Sequence, residues 1–152
     1  LGLFLVVLAI GVGCNDDDDD NGGNFVVADK VYNQAFNCSQ TPTGGTAFCA
    51  DANATGQVQI TNLGGGNWEV REVPDSGFVA TGTWTGRTFN FTATNPAGFT
   101  ETGSWSFSES GNSFSGSSSY VADNNAFTGE CTIHGAVVPN IPPDADPIGA
   151  CL

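Results

Sequence analysis

Few side chains in this sequence are equipped for chemistry, and their spacing narrows what they can do. Glu101 has the most unusual setting. Strict alternation from Phe99 to Phe107 puts it on the apolar side with Phe99, Trp105 and Phe107. A carboxylate on such a face needs a partner, or its pKa rises. Arg71 and Arg87 are the only arginines and are its candidate partners. Glu101 therefore either anchors a ligand inside the fold or is turned to solvent by a bulge or strand end. Hydrolysis by a carboxylate pair needs a second acid at fixed spacing. Glu69, Glu72 and Glu130 are available, but nothing singles them out. His134 is the one histidine, and serines abound. No G-x-S-x-G elbow lies between a strand and a helix, so His134 reads as a surface residue. Trp68, Trp84, Trp105 and Tyr120 have rings that either stack on a sugar or other ring or fill the core. No catalytic residue is assigned.

Metal and phosphate chemistry find little support. Cys131 lies three residues from His134, but no close Cys-x-x-Cys pair exists, so a zinc site is not expected. No glycine-rich loop precedes a helix, so a phosphate cradle is not expected either. Asp144 and Asp146 read as a solvated loop. No cofactor is implied.

Charge excludes whole classes of partner. Sixteen acids face three bases in 152 residues, a net charge of −13. Three cations cannot neutralise a nucleic-acid backbone or form a polybasic membrane patch. Charged residues make up only 12% of the chain, about half the usual share.

Residues 1–13 read LGLFLVVLAIGVG, an uncharged run. It is too short to cross ~30 Å of hydrocarbon as a helix. It fits the apolar core of a secretory signal. No initiator methionine or basic stretch precedes it, which implies a truncated start or a non-standard start codon. The run ends Gly11-Val12-Gly13-Cys14, which resembles the lipobox of bacterial lipoproteins. That resemblance implies lipid on Cys14 and attachment to a membrane through that lipid. Asn15 follows the cysteine in place of the Asp that retains some lipoproteins at the inner membrane. The implied location is thus the cell envelope, at the outer membrane or cell surface. Residues 15–24, NDDDDDNGGN, read as a disordered tether because adjacent like charges repel. A calcium site there is disfavoured, since Ca²⁺ loops space their acids around turns.

With Cys14 set aside, Cys38, Cys49, Cys131 and Cys151 remain. An even number in an exported chain implies two disulfides. The favoured pairing is Cys38–Cys49 as a local loop and Cys131–Cys151 fastening the tail. The crossed pairings stay open.

The elements that must position these residues are strands. No sustained helical period appears after residue 25, and turn signals recur instead. Strands are expected near 57–63, 67–73, 78–84, 87–94, 99–107, 113–121 and 127–134, with a further one in 25–32. Connections of two to five residues force sequential antiparallel hairpins. One face carries Phe78, Ala80, Gly82 and Trp84; Phe89, Phe91 and Ala93; Phe99 through Phe107 at every second position; Phe114, Gly116, Ser118 and Tyr120; and Phe127, Gly129, Cys131 and Ile133. The other face is Thr and Ser, as in a sheet packed on one side only. Glycines in the middle of the apolar face let the sheet curl. Either the aromatics then meet across it, or a cavity is left.

The expected fold is all-β: an antiparallel up-and-down meander of about eight strands closing into a small barrel, with a β-sandwich as the alternative. Eight strands enclose either side chains or one small ligand. The meander, with its G-x-W and F-x-G elements and hydroxyl-rich exterior, resembles a lipocalin-type (calycin) barrel over roughly 57–134. The expected organisation is a signal core at 1–13, a lipidated cysteine and acidic tether at 14–24, a barrel at 25–136 and a proline-rich tail at 137–152 fastened by a disulfide.

Three functions fit. The first is an envelope lipoprotein displaying a non-enzymatic barrel that binds a small apolar or aromatic ligand, or a surface protein. Its candidate ligand-binding residues are Glu101, Trp68, Trp84, Trp105 and Tyr120. The second is a structural or adhesive subunit that self-associates through strands. The third is a hydrolase using Glu101 or His134.

Overall fold

The computed structural model describes residues 25–152 except 75–76, 96–97 and 123–124. The signal-like run, Cys14 and the acidic stretch lie outside the described residues. Eight antiparallel strands follow one another in a meander: β1 (Val31–Pro42), β2 (Phe48–Gly64), β3 (Asn67–Glu72), β4 (Val79–Thr85), β5 (Thr88–Asn95), β6 (Phe99–Phe107), β7 (Ser113–Ala122) and β8 (Phe127–Val137). Each pairs with its sequence neighbour, and β1 pairs with β8 to close a barrel. The sandwich alternative is thereby corrected: short reversals leave no crossover to a second sheet, and β1 pairing with β8 closes the one sheet on itself.

The inward set from 78 to 133 follows the period of two. Ala80, Phe89, Phe91, Ala93, Trp105, Phe107, Phe114 and Ile133 are buried, while their Thr and Ser neighbours face outward. Reversals are made where backbone freedom allows. Gly64, Gly65 and Gly66 all have positive φ between β2 and β3, a region costly for other residues.

The first strand departs from expectation. It begins at Val31, not Phe25, and β2 begins at Phe48, well before residue 57. The reason lies in what covers β1. Tyr32, Gln34 and Cys38 are buried on its inner side, yet Ala35, Asn37 and Ser39 are also buried on its outer side. The cover includes the C-terminal tail. Asn37 Nδ2 donates to the carbonyl of Ala145 at 2.5 Å, Asn33 Nδ2 to that of Asn140 at 2.7 Å, and the Thr132 hydroxyl to that of Asp146. With both faces covered, polar as well as apolar residues are buried on either side and the alternation disappears.

Residues 25–30 do not form a strand; they stopper one end of the barrel. Val27 is buried. Phe25 meets Trp84 and Phe107 edge-on, at 5.4 and 6.2 Å between ring centroids. The backbone N–H of Asp29 donates to the carbonyl of Ile60 at 2.8 Å. Beneath the stopper, Tyr32 is fully buried and its hydroxyl donates to the Gly111 carbonyl at 2.6 Å.

The disulfides differ from the favoured pairing. They join Cys38 to Cys131 and Cys49 to Cys151. Barrel closure sets Cys38 of β1 directly opposite Cys131 of β8, with Cα atoms 4.2 Å apart. The first bond therefore crosses the seam where the barrel shuts. The second ties the tail, which ends in a short 3₁₀ turn at Gly149–Cys151, to the start of β2.

Candidate functional site

Large and small inward residues alternate across the strands, and their balance differs between the two ends. At the stoppered end, rings fill the interior. Trp105 stacks on Phe114 at 4.7 Å, and Trp84 lies 5.2 Å from Phe89 and 5.1 Å from Phe107. Such pairs add to burial alone. Gly135 sits opposite Phe114, where a Cβ would lie 2.1 Å from the ring. The aromatics therefore do meet across the barrel in this half, whereas at the other end Phe99 and Tyr120, from neighbouring strands, stack at 5.7 Å along one wall.

The other half is hollow. A cavity of about 370 Å³ lies between the walls, within the usual range for a small-molecule site. Its apolar lining includes Phe36, Val58, Phe78, Phe99, Trp105 and Ile133. Its polar lining is Gln34 and Gln40 from β1, Asp51 from β2, Glu72 from β3, Glu101 from β6, and Ser118 and Tyr120 from β7. Glu101 and Tyr120 are cross-strand neighbours. The cavity persists at this end because several inward positions are small: Ser118 and Ala122 on β7 and the bonded Cys131 on β8.

The electrostatics of the cavity follow from its acids. Burial raises the pKa of Glu101; a hydrogen bond with Ser118 opposes the shift, and the nearby Glu72 charge adds to it. Burial likewise raises Glu72. Tyr120 is raised by burial and then by the Asp51 and Glu101 charges. Its hydroxyl lies 3.4 Å from the carbonyl of Ser39 and 3.4 Å from Gln40 Oε1. Gln34 is 6% exposed, and its Oε1 has no hydrogen-bond partner among the described residues. No Lys, Arg or His lines the cavity. Arg71 instead chelates Glu69, with Nε to Oε1 at 2.5 Å, and Arg87 lies 3.6 Å from Glu109. The expectation that either arginine serves Glu101 is corrected: both side chains point outward, away from the lining.

Of the five candidate ligand residues, Glu101, Trp105 and Tyr120 line the cavity, whereas Trp68 and Trp84 do not. These two meet edge-on at 5.5 Å within the filled half. Gln34, Asp51 and Glu72 also line the cavity and were not anticipated. Asp51 and Gln34 lie on segments not read as strand. Glu72 was visible as one inward step beyond Val70.

His134 is on the outer side of β8. Its Nδ1 lies 2.9 Å from the Asp144 carbonyl and its Nε2 3.9 Å from an Asp146 carboxylate oxygen. No hydroxyl among the described residues is hydrogen-bonded to the ring. Its contacts pin the tail. No described group of three or more His, Cys, Asp or Glu side chains converges as a metal site would.

No protein-family model matches the chain, and no curated protein matches it. Among solved structures, a protein of unknown function from Bacteroides ovatus is similar at a TM-score of 0.51 and 8% identity, over 78% of this chain and 45% of that one. A mutant of the vaccine antigen transferrin-binding protein B from Haemophilus parasuis Hp5 matches at a TM-score of 0.47 and 16% identity, over 72% of this chain and 26% of that one. The chain thus spans less than half the length of either. The first likeness extends the barrel architecture to a second solved protein. No described helix is long and apolar enough to cross a membrane.

Proposed function

We propose that this protein is a non-enzymatic binding lipoprotein of the bacterial cell envelope, held by lipid on Cys14 at the outer membrane or cell surface. Its barrel receives a small molecule with an apolar or aromatic body. The observation that carries this reading is the hollow half-barrel of about 370 Å³, walled by aromatic rings and provided with a half-buried carboxylate at Glu101. A barrel of this size packed solid by side chains would have no such use. Glu101, Trp105 and Tyr120 are the residues assigned to the ligand. The lipid anchor rests on the lipobox-like Gly11-Val12-Gly13-Cys14.

Self-association through a donated strand has less to support it. Each barrel strand pairs with two neighbours, and the edge left to extend is confined to the stretch of β2 ahead of Gln57, which pairs with β1 alone.

The test is native mass spectrometry of the mature protein taken from its own envelope. The expected result is a lipid mass on Cys14 and a second, non-covalent mass that is lost on unfolding. Ala122→Trp, which fills the cavity from the β7 wall, should abolish the second mass and leave the first. A folded wild-type protein carrying nothing, with or without added small apolar compounds, overturns the ligand reading. An unmodified Cys14 overturns the anchor.

A further inference from the structure

We propose that the free edge of β2 beside the cavity takes an extended, cationic peptide segment, which adds as a strand and sends an aromatic side chain into the cavity. This rests on the ligand-binding reading above and names a partner class for the same site.

The barrel wall is incomplete at its hollow end. β2 has 17 residues, whereas β3 and β4 have 6 and 7. β3 pairs with β2 only from Val58 to Gly64, and the Gln57 carbonyl then accepts from the Val73 N–H at 2.9 Å. Ahead of that point, Phe48–Gly56 pairs with β1, and no described strand lies on its other side. Asp51 of this stretch and Phe78, just before β4, both line the cavity. The missing length of wall is therefore a side entrance to it.

The edge is fit to pair. Along an antiparallel strand, successive residues turn their N–H and C=O to opposite sides. The Ile60 N–H donates to the Lys30 carbonyl, just ahead of β1, and the Gln57 carbonyl accepts from Val73 beyond β3. Thr55, two residues from Gln57, thus turns its N–H and C=O to the gap. Ala54, Thr55 and Gly56 keep regular register with Phe36, Ala35 and Gln34, and the Cys49–Cys151 bond holds the start of the strand. An edge ordered in advance lowers the cost of binding. Edges that must stay unpaired carry Lys or Pro; residues 48–56 contain neither.

The inner face beside this edge has room. Ala54 and Gly56 pair with the cavity-lining Phe36 and Gln34, so they share the inner face. A strand continuing the line of β3 sets the residues opposite them on that face too. Elsewhere in the barrel small inward residues lie under a neighbour's ring, as Gly129 does under Tyr120 and Gly135 under Phe114. Main-chain pairing then supplies affinity, and the cavity of about 370 Å³ selects the side chain.

Charge sets the sign of the partner. The chain carries −13, no basic side chain lines the cavity, and Asp51 is exposed on the edge itself. A second copy, or this chain's own acidic residues 15–24, is repelled there, and a segment bearing Lys or Arg is attracted.

The probe is the end-capped heptapeptide Thr-Phe-Thr-Val-Thr-Lys-Thr, titrated into the folded, oxidised protein at neutral pH and followed by calorimetry. 2-Phenylethanol serves as the probe of the cavity alone. The peptide should bind and slow hydrogen exchange of the Thr55 amide. N-methylation of the Thr between Phe and Val removes an edge hydrogen bond and should cut affinity about tenfold. Thr55→Pro, which removes the N–H facing the gap and spares the pairing with β1, should do the same, with 2-phenylethanol binding as the check that the barrel is intact. Exchanging Lys for Glu in the peptide should weaken binding severalfold. Undiminished binding of the N-methylated peptide overturns strand addition, whether or not Thr55→Pro folds. Failure of the peptide to bind a protein that binds 2-phenylethanol overturns it too and leaves the cavity reading standing; failure of both overturns both. Dimers in sedimentation that Thr55→Pro abolishes give the edge to a second copy and overturn the cationic partner.

Discussion

Cutting the Cys38–Cys131 bond should open the barrel along its seam. The bond joins positions 93 residues apart. Taken alone, a loop of that length corresponds to about 4.6 kcal/mol of chain entropy removed from the unfolded state. The second disulfide lowers this figure. With Cys49–Cys151 intact, Cys38 and Cys131 are already tethered through the short segments 38–49 and 131–151. The loop to be closed then falls to roughly 31 residues and the contribution to about 3.7 kcal/mol. For a domain of this size, that is a fall of roughly 10–15 °C in melting temperature. The perturbation is the double substitution Cys38→Ala and Cys131→Ala, and the assay is guanidinium unfolding followed by tryptophan fluorescence. The result expected is a loss of about 3–4 kcal/mol with an intact fold. Removing both disulfides together should cost more than twice as much, because each is worth more as the sole link than its shortened loop suggests when the other is present. A loss below about 1 kcal/mol would refute the seam argument. So would peptide mapping that finds Cys38 joined to Cys49.

Three further outcomes follow from single contacts. Glu101 holds its proton more tightly in the folded state than in the unfolded chain, so this group destabilises the fold as pH rises through and above its titration. Unfolding midpoints should therefore rise for Glu101→Gln at pH 8 and be unchanged at roughly pH 4, near the ordinary carboxyl pKa; equal shifts at both pH values would contradict the burial argument. Gly129 lies opposite Tyr120, and a Cβ there would sit 2.1 Å from the ring. Gly129→Ala should cost about 1–3 kcal/mol in urea unfolding and weaken binding in the cavity as the ring is displaced. Tyr32→Phe removes a buried donor to the Gly111 carbonyl, but Lys30 Nζ lies 3.4 Å from that oxygen. The acceptor keeps a partner, and the loss should stay near 1 kcal/mol by chemical denaturation.

The strands from Val79 to Ile133 were legible because each has one wet face and one covered face. Thr81 beside Ala80, or Ser106 between Trp105 and Phe107, marks the side of the sheet without ambiguity. β1 was not legible for the opposite reason. The tail crosses its outer side, so Asn37 is buried there by a hydrogen bond instead of by apolarity. Covering residues about a hundred positions away leave no local trace. The same holds for the disulfides. Spacing along the chain favours Cys38 with Cys49, but closure of the barrel places β8, and with it Cys131, across from Cys38. In the cavity, Glu101 was visible as a charge out of place in an apolar series. Trp105 was visible only as one of three tryptophans, and nothing in the sequence separates it from Trp68 and Trp84. That distinction depends on which end the segment 25–30 stoppers. Gln34 was hidden by the misplaced first strand.

The most direct measurement locates a bound probe by nuclear magnetic resonance. Intermolecular nuclear Overhauser contacts from 2-phenylethanol, a small molecule with an aromatic body, would be recorded on the folded, oxidised protein. The hollow half-barrel predicts contacts to Trp105, Tyr120 and the side chains flanking Glu101, and none to Trp68 or Trp84. Contacts confined to the outer surface, around His134 and the tail, or to Trp68 and Trp84, would contradict it.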